Sequence, residues 1–323
     1  MWKFGKDFID SHDAVLFDGL NISVVLYWTL LYWTLVSCFC LWFSLISQND
    51  FRLAKEYAMN LCITGRNALV TGSSAGIGFA IARLLAHEGV NVTVNGRDGR
   101  RVETAVQRLR DLGLDGHVSG VAADLGTAEG CLAVVEQLPA VDILINNVGI
   151  YEAEAFEDIS DENWMRLFEI NVLSGVRLAR AYLAGMQGRK WGRIVFISSE
   201  SAVQIPQDMI HYGVTKTAQV SLARGLAETT KGTNVTVNSV LAGPTHSEGV
   251  DILLQANVDQ QRGVDFRELE KDFFRNARPS SLLQRFATVD EVASMVVYIC
   301  SVCASATNGA ALRVDGGVIQ AAL

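Results

Sequence analysis

The stretch ALVTGSSAGIGFA, residues 68–80, joins a strand, a glycine-rich turn and the start of a helix. Residues 67–71 form a short, mostly apolar run that ends at a turn, as a strand of a parallel sheet does. Behind the turn, apolar residues recur at helical spacing as far as Gly89. This order predicts a loop for a dinucleotide pyrophosphate, because glycine lets the backbone approach the phosphates and the helix N-terminus supplies N–H groups.

Strand-like and helical segments alternate through the rest of the chain. Five further strands are predicted: NVTVNGR (91–97), GHVSGVAADL (116–125), VDILINNVG (141–149), GRIVFISS (192–199) and TNVTVNSVLAGP (233–244). The sequence NGAALRVDGGV (308–318) predicts a last strand and turn. We therefore expect an α/β Rossmann fold, a doubly wound parallel sheet in a single domain over residues 59–323, with its ligand at the carboxyl ends of the strands.

The end of the second predicted strand bears on the choice of cofactor. An NAD site carries an acid there that binds the ribose 2′-hydroxyl. Here Gly96 holds that place and Arg97 follows. A guanidinium without a carboxylate suits a 2′-phosphate, so NADP is favoured over NAD. The alternative is that Arg97 is a solvated surface charge.

A serine, a tyrosine and a lysine have the spacing of a catalytic group. Tyr212 follows Ser199 by thirteen residues, and Lys216 follows Tyr212 by four in HYGVTK. Residues four apart share one face of a helix. An ammonium and a cationic nicotinamide would lower the pKa of Tyr212, which could then act as general acid in reduction and general base in oxidation. Ser199 could donate a hydrogen bond to the substrate oxygen.

From about residue 60 to its end the chain resembles the short-chain dehydrogenase/reductase superfamily. The motifs stand in order at residues 71–78, Asp124, residues 146–149, Asn171, Ser199, Tyr212 and Lys216. The resemblance implies that Asn171 holds a water in a proton relay with Lys216. It also implies a dimer or tetramer of identical chains.

The resemblance further implies a set of cofactor contacts. Lys216 would bond the nicotinamide ribose, Asp124 the adenine, and the segment LAGPTHSEG (241–249) the carboxamide. The full expected set is Gly72, Ser74, Gly76, Ile77, Gly78, Arg97, Asp124, Leu125, Asn147, Gly149, Tyr212, Lys216, Gly243, Thr245 and Ser247.

Three positions depart from the family pattern. NNVG replaces the usual NNAG, so that Val148 must fit beside the cofactor. Ala242 precedes Gly243 where proline is usual, and Ser247 stands where threonine is common. These changes affect the cofactor site, and no expected catalytic group is missing.

The segment at about 246–287 falls where this family carries its substrate lid. Its apolar residues have helical spacing, which predicts one or two helices that close over the site. Phe273-Phe274 and Leu282-Leu283 either line a pocket or belong to the core. Three arginines either meet an acidic substrate tail or form a solvated face: Arg275, Arg278 and Arg285.

The predicted domain follows an extension of 58 residues. Residues 19–49 carry no charge and contain LYWTL twice. A helix of about 20 apolar residues spans a bilayer, so we expect a transmembrane helix at about 20–47 as one interpretation, with the catalytic domain in the cytoplasm. The alternatives are a buried hydrophobic hairpin or oligomer contact and a natural start at Met59. The sequence leaves these open.

Composition excludes other classes. The formal net charge is −8, whereas nucleic-acid binding needs clustered Lys and Arg. The six cysteines are scattered, and the single CxxC at 300–303 lacks the second half of a zinc site, so no metal is predicted.

The sequence thus predicts an NADP-dependent oxidoreductase that interconverts a carbonyl and a secondary alcohol. Its substrate would be a 3-oxoacyl thioester, a sugar or a small ketone. The alternative is a membrane-tethered NADP-binding protein without catalysis.

Overall fold

The computed structural model describes residues 59–248 and 266–322. Nine strands lie in these ranges: β1 (Asn67–Val70), β2 (Asn91–Gly96), β3 (Val118–Ala122), β4 (Ile143–Asn146), β5 (Gly192–Ser199), β6 (Val235–Ala242), β7 (Thr245–His246), β8 (Ala287–Thr288) and β9 (Ala311–Val314). Seven of them form a parallel sheet in the order β3-β2-β1-β4-β5-β6-β9. The predicted Rossmann-like fold is confirmed, and its strand order reverses between β1 and β4, where such sheets bind ligands.

Helices cover both faces of the sheet. The described α-helices are α1 (Gly76–His87), α2 (Gly99–Asp111), α3 (Ala128–Gln137), α4 (Asp161–Phe168), α5 (Ser174–Gly188), α6 (Ile210–Glu228), α7 (Phe266–Asn276) and α8 (Val289–Cys300). Side chains cap several of their first turns. Asp98 accepts from the Arg101 N–H at the start of α2, and Thr288 forms a capping box with Glu291 at α8.

The central strands are apolar on both faces. In β1, Ala68 and Val70 belong to the core that packs on α1, α2 and α8, whereas Leu69 belongs to the core on α3, α5 and α6. Each of these three side chains is at most 1% exposed. Two buried faces explain why the strands read as continuous apolar runs rather than as alternating patterns.

Strand β3 ends earlier than its sequence pattern suggested. The pattern ran to Asp124, but β3 stops at Ala122. Asp124 begins a turn instead: its Oδ1 accepts from the Gly126 N–H at 3.0 Å, and its carbonyl accepts from the Thr127 hydroxyl at 3.0 Å. A short side chain that bonds nearby backbone competes with the sheet ladder.

The two ends of the predicted lid segment are tied together. β7 and β8 pair in parallel, with Thr245 opposite Ala287. Between them α7 contributes Phe273 and Phe274, whose ring centroids lie 5.0 and 5.2 Å from that of Phe286. Phe274 is 1% exposed, so the pair contributes core as well as cavity wall. Residues 249–265 of this segment lie outside the described ranges.

The predicted N-terminal extension, residues 1–58 with its candidate transmembrane helix, also lies outside the described ranges. Among residues 59–248 and 266–322, no helix combines the length and the hydropathy needed to cross a membrane.

The contact between Gly243 and Asp315 provides a test of the packing at the end of β6. A Cβ on Gly243 would lie 2.6 Å from the Asp315 Cα, which cannot retreat without straining the bond from the Gly243 N–H to the Val314 carbonyl. We expect Gly243→Ala to lower the free energy of unfolding by about 2–3 kcal/mol in urea titrations.

Gly225→Ala is the matched control. Gly225 is exposed within α6, and a Cβ there meets no described atom within 4 Å. This variant should be unchanged or more stable by about 1 kcal/mol. Equal effects of the two substitutions would contradict the packing argument.

Candidate active site

The loop between β1 and α1 has the backbone that a pyrophosphate requires. Gly72 and Gly76 both have φ of +58°, a region that favours glycine. The loop borders a cavity of about 450 Å³. Most predicted contacts of the adenosine half line that cavity: Gly72, Ser74, Arg97, Asp124, Leu125, Asn147 and Gly149. A glycine-rich loop of small residues at the N-terminus of α1 fits a dinucleotide pyrophosphate.

Two predicted cofactor contacts serve the protein itself. The side-chain amide of Asn147 donates to the carbonyls of Thr71 and Gly72, both at 2.9 Å. A Cβ on Gly78 would lie 2.5 Å from that amide nitrogen. The amide protons of Asn147 therefore hold the loop in shape, and Gly78 leaves room for that amide. Thr71 was missed by sequence reasoning: its hydroxyl accepts from the Asn147 backbone N–H at 2.8 Å.

The far end of this cavity carries two guanidinium groups. Arg97 lies there as predicted, and Arg101 from the first turn of α2 joins it. Asp98 also borders the cavity, but its Oδ1 caps α2. A Cβ on Gly96 would lie 3.1 Å from Val102 and 3.3 Å from the Ser74 hydroxyl, so an acid at position 96 would be crowded. Arg101 had no signal in the strand pattern, because it reaches the site from a helix.

Tyr212 and Lys216 project from α6 towards the end of β5, as their spacing predicted. Both border a cavity of about 230 Å³ next to the first one. Further predicted residues around it are Ile77, Gly149, Ser199, Gly243, Thr245 and Ser247. The structure therefore brings the two ends of the predicted site together.

Lys216 is almost completely buried. It is 5% exposed, and its Nζ donates to the Ile197 carbonyl at 3.0 Å and to Gln219 Oε1 at 3.3 Å. Burial lowers the pKa of Lys216 to about 8, because the ammonium loses water. A Cβ on Gly149 would lie 3.3 Å from this Nζ, so any side chain at position 149 would crowd the amine.

Asn171 lies in a π-helical turn, Glu169–Leu173, between α4 and α5. Its Oδ1 accepts from the Ile150 N–H at 2.8 Å. Its side-chain nitrogen donates to the Ile150 carbonyl at 2.9 Å and to the Thr215 hydroxyl at 3.0 Å. The backbone carbonyl of Asn171 accepts from the side-chain amide of Gln219 at 2.5 Å. The wide turn thus fixes Asn171 beside α6, and single-turn π-helices recur at functional sites.

The environment of Tyr212 differs from the expectation based on charge alone. Burial raises the pKa of this phenol, and the hydroxyl of Ser199, which lies within hydrogen-bonding reach, opposes that rise. Lys216 Nζ lies 5.5 Å from the centre of the Tyr212 ring and is occupied by Ile197 and Gln219. Desolvation is therefore the largest influence on this pKa, and it outweighs the opposing contributions of Ser199 and Arg278.

Ser199 has a partner that the sequence did not indicate. Its hydroxyl donates to the carboxylate of Glu200, and its oxygen accepts from the Ser201 N–H at 3.1 Å. Glu200 is 3% exposed. The proton predicted to meet the substrate oxygen is thus held by the next residue in the chain.

A third cavity, of about 840 Å³, opens beside Tyr212. Its described wall includes Tyr151, Glu152, Glu154, Glu200, Phe273, Arg278 and Phe286. Tyr151, missed by sequence reasoning, stacks edge-on against Tyr212 at 6.1 Å. Leu282 is 86% exposed and lies outside this wall.

The three lid arginines all have carboxylate partners. Arg278 pairs with Glu200 at 2.9 Å. The other two pairs are Arg275 with Asp272 at 3.0 Å and Arg285 with Glu291 at 2.8 Å. An acidic substrate tail would therefore have to compete with the chain's own carboxylates.

Comparison with known proteins places this geometry in a family. The family model described as short chain dehydrogenase matches residues 66–257. The oxidoreductase YvaG of Bacillus subtilis is 45% identical over 262 residues, which cover 81% of this chain and 99% of YvaG. D-beta-hydroxybutyrate dehydrogenase of Cupriavidus necator is 31% identical over 261 residues, 79% of this chain and 98% of that enzyme.

A solved structure agrees with these relatives. L-Sorbose reductase from Gluconobacter frateurii, complexed with NADPH and L-sorbose, superimposes with a TM-score of 0.77 at 32% identity and covers 81% of this chain and 100% of its own. The glycine loop, the parallel sheet and these similarities agree. The chain belongs to the short-chain dehydrogenase/reductase family, whose members are oxidoreductases that act on CH–OH groups with NAD(P).

Proposed function

We propose that the chain is an NADP-dependent carbonyl reductase or alcohol dehydrogenase in which Tyr212 transfers the proton. One observation carries the proposal: Tyr212 borders both the cavity that continues from the glycine loop and the larger cavity beside it. A phenol at such a boundary can meet a substrate oxygen while the nicotinamide lies on its other side. Bound NADP would supply or accept the hydride at the substrate carbon.

The adenosine end supports NADP as the partner. Arg97 and Arg101 would pair with a 2′-phosphate, and Gly96 places no carboxylate against it. Ser74 and Asp124 would line the ribose and the adenine. L-Sorbose reductase, the similar solved structure, contains NADPH.

The proton would come from Tyr212 in reduction and return to it in oxidation. Lys216 would support the phenolate through its positive charge, which the carbonyl of Ile197 and the amide of Gln219 orient. Asn171 would fix α6 against the α4–α5 turn through Thr215. Ser199 would hold the substrate oxygen once its proton turns from Glu200.

The larger cavity favours a substrate without negative charge. Three carboxylates border it: Glu152 and Glu200 are paired with Arg166 and Arg278, whereas Glu154 accepts from the neutral amide of Asn163 and keeps its negative charge unbalanced. Carboxylates repel anions and accept hydrogen bonds from hydroxyl groups. We therefore favour sugars and small neutral ketones over oxo acids. This choice agrees with the similarity to L-sorbose reductase more than with that to D-beta-hydroxybutyrate dehydrogenase.

Replacement of the proton donor tests the proposed reaction. Tyr212→Phe removes the hydroxyl and keeps the ring, so turnover with a neutral ketone should fall about 10²–10⁴-fold while NADPH binding, followed by fluorescence, is retained. Tyr298→Phe, on the exposed face of α8, is the control and should keep full turnover. Full turnover by Tyr212→Phe would overturn the assignment of Tyr212 as the proton donor, whereas NADPH binding without turnover by the unchanged protein would indicate a binding protein.

Removal of the guanidinium groups tests the cofactor preference. Arg97→Gln with Arg101→Gln should raise the KM for NADPH about 10–100-fold, because two charge-assisted contacts to a phosphate are lost. The KM for NADH should change little. Arg100→Gln removes the same charge from an exposed position in α2 outside the cavity and should leave both constants unchanged. Equal changes for the two cofactors would argue against a 2′-phosphate site.

A pair of matched substrates tests the acidic cavity. We expect kcat/KM for ethyl acetoacetate to exceed that for acetoacetate by about tenfold or more, since only the latter carries a charge. Glu154→Gln should narrow this ratio, whereas Glu157→Gln, an exposed neighbour outside the cavity wall, should not. A preference for acetoacetate would overturn the substrate assignment.

A further inference from the structure

A buried pair of opposite charges links the candidate serine to the segment that follows α7. The Glu200 carboxylate accepts from the Ser199 hydroxyl with one oxygen and from Arg278 Nε, at 2.9 Å, with the other. The side chains of Glu200 and Arg278 are 5% and 16% exposed. Burial of a carboxylate at this depth is costly unless it is paired and hydrogen-bonded, and Glu200 meets both conditions.

The position of the Ser199 proton gives this pair a role. A hydroxyl has one proton and two acceptor sites. The Ser199 proton points to Glu200, and the Ser201 N–H takes one acceptor site at 3.1 Å. The Ser199 hydroxyl also interacts with the phenol of Tyr212 and lowers its pKa. Glu200 therefore fixes the rotation of the Ser199 hydroxyl.

A second contact holds the same two segments together. The side-chain amide of Gln204 donates to the Ser280 hydroxyl at 3.2 Å, and Ser280 in turn donates to the Val318 carbonyl at 2.7 Å. Arg278 also lies 5.9 Å from the ring centre of Phe273, which borders the large cavity. Arg278 is thus held in place from several sides.

The charged and titratable groups around Tyr212 come from four elements. Among the described residues they are Ser199 at the end of β5 with Glu200 next to it, Tyr151 after β4, Arg278 after α7, and Lys216 on α6 itself. Burial is the main cause that raises the pKa of Tyr212; the charge of Glu200 adds to the rise and that of Arg278 opposes it. The two charges therefore act on the phenol with opposite signs.

We propose that Glu200 and Arg278 act as a positioning pair for the reaction proposed above, on which this inference rests. Glu200 orients the Ser199 hydroxyl, and Arg278 balances the carboxylate's charge beside the phenol that transfers the proton. The segment after α7, which borders the substrate cavity, thereby takes part in setting the electrostatic environment of the reacting centre.

The pH profile of alcohol oxidation tests the pair, because a purely structural role would not shift it in opposite directions. With ethyl 3-hydroxybutyrate as probe and NADP⁺ at saturation, kcat/KM rises with pH as Tyr212 becomes phenolate. Glu200→Gln removes a negative charge, favours phenolate, and should move this rise to lower pH by about half to one unit. Arg278→Gln should move it to higher pH by a similar amount.

The double variant provides the internal check. Glu200→Gln combined with Arg278→Gln removes both charges and should return the pH profile close to that of the unchanged protein. Arg278→Lys keeps the positive charge and should leave the pH profile unchanged. Arg275→Gln, which removes a charge from an exposed pair on α7, is the control and should cause no shift. Single-variant profiles that coincide with the unchanged one, or that move in the same direction, would overturn the proposal.

An ultraviolet difference titration of tyrosinate separates the two levels of the argument. It is measured in the NADP⁺ complex, with Tyr212→Phe as the blank, and needs neither turnover nor a known substrate. The titration of Tyr212 should show the same opposite shifts in the two single variants. If the titration shows these shifts but no turnover is found, the proposed reaction is contradicted and the role of the pair stands. If turnover is found but the shifts are absent, only the role of the pair is contradicted.

Discussion

The parallel pairing of β4, β5 and β6 is the constraint on which the site depends. Their register places Ile145 opposite Val195 and Ser199 opposite Ala242, so the strands end at one edge of the sheet. Each strand must leave that edge as a loop, because parallel strands are joined through crossovers. Because β1 pairs with β4 in the same sheet, the glycine loop after β1, the serine at the end of β5 and the segment after β6 meet at this edge.

Buried polar groups then give this edge its fixed geometry. Asn147 holds the glycine loop, and Asn171, Gln219 and Lys216 form one connected set at the base of α6. Each of these groups loses water on folding, and the hydrogen bonds replace what water supplied. The same loss of water lowers the pKa of Lys216 and raises that of Tyr212. One network thus determines both the shape of the site and its acid–base behaviour.

The substrate side is built differently. It depends on the β7–β8 pair, on the aromatic packing of Phe273 and Phe274 against Phe286, and on the Glu200–Arg278 ion pair. These contacts involve few residues and lie at the cavity of about 840 Å³. Because a short pair of strands and a few side chains form the substrate side, its residues can change while the sheet and the nucleotide loop stay the same.

Local pattern alone determined much of this protein. The glycine turn after β1, the apolar strands and the one-turn spacing of Tyr212 and Lys216 depend on neighbours in the sequence, and all could be read there. The approximate ends of strands could be read as well. Asp124 is an exception: it lies beyond the end of β3 because its side chain accepts a hydrogen bond within the following turn. The parallel, doubly wound sheet followed from the alternation of strands and helices.

Only the tertiary structure decided which distant groups meet and how much water they lose. Arg101 joins Arg97 because α2 starts at the same edge, and Arg278 meets Glu200 across 78 residues of sequence. Asn147 matched a cofactor motif, yet its amide protons are used by Thr71 and Gly72. The pKa of Tyr212 rises because burial, which no spacing reveals, outweighs the opposing contributions of Ser199 and Arg278. Spacing identifies the chemical groups, whereas sheet register and desolvation set their contacts and charges.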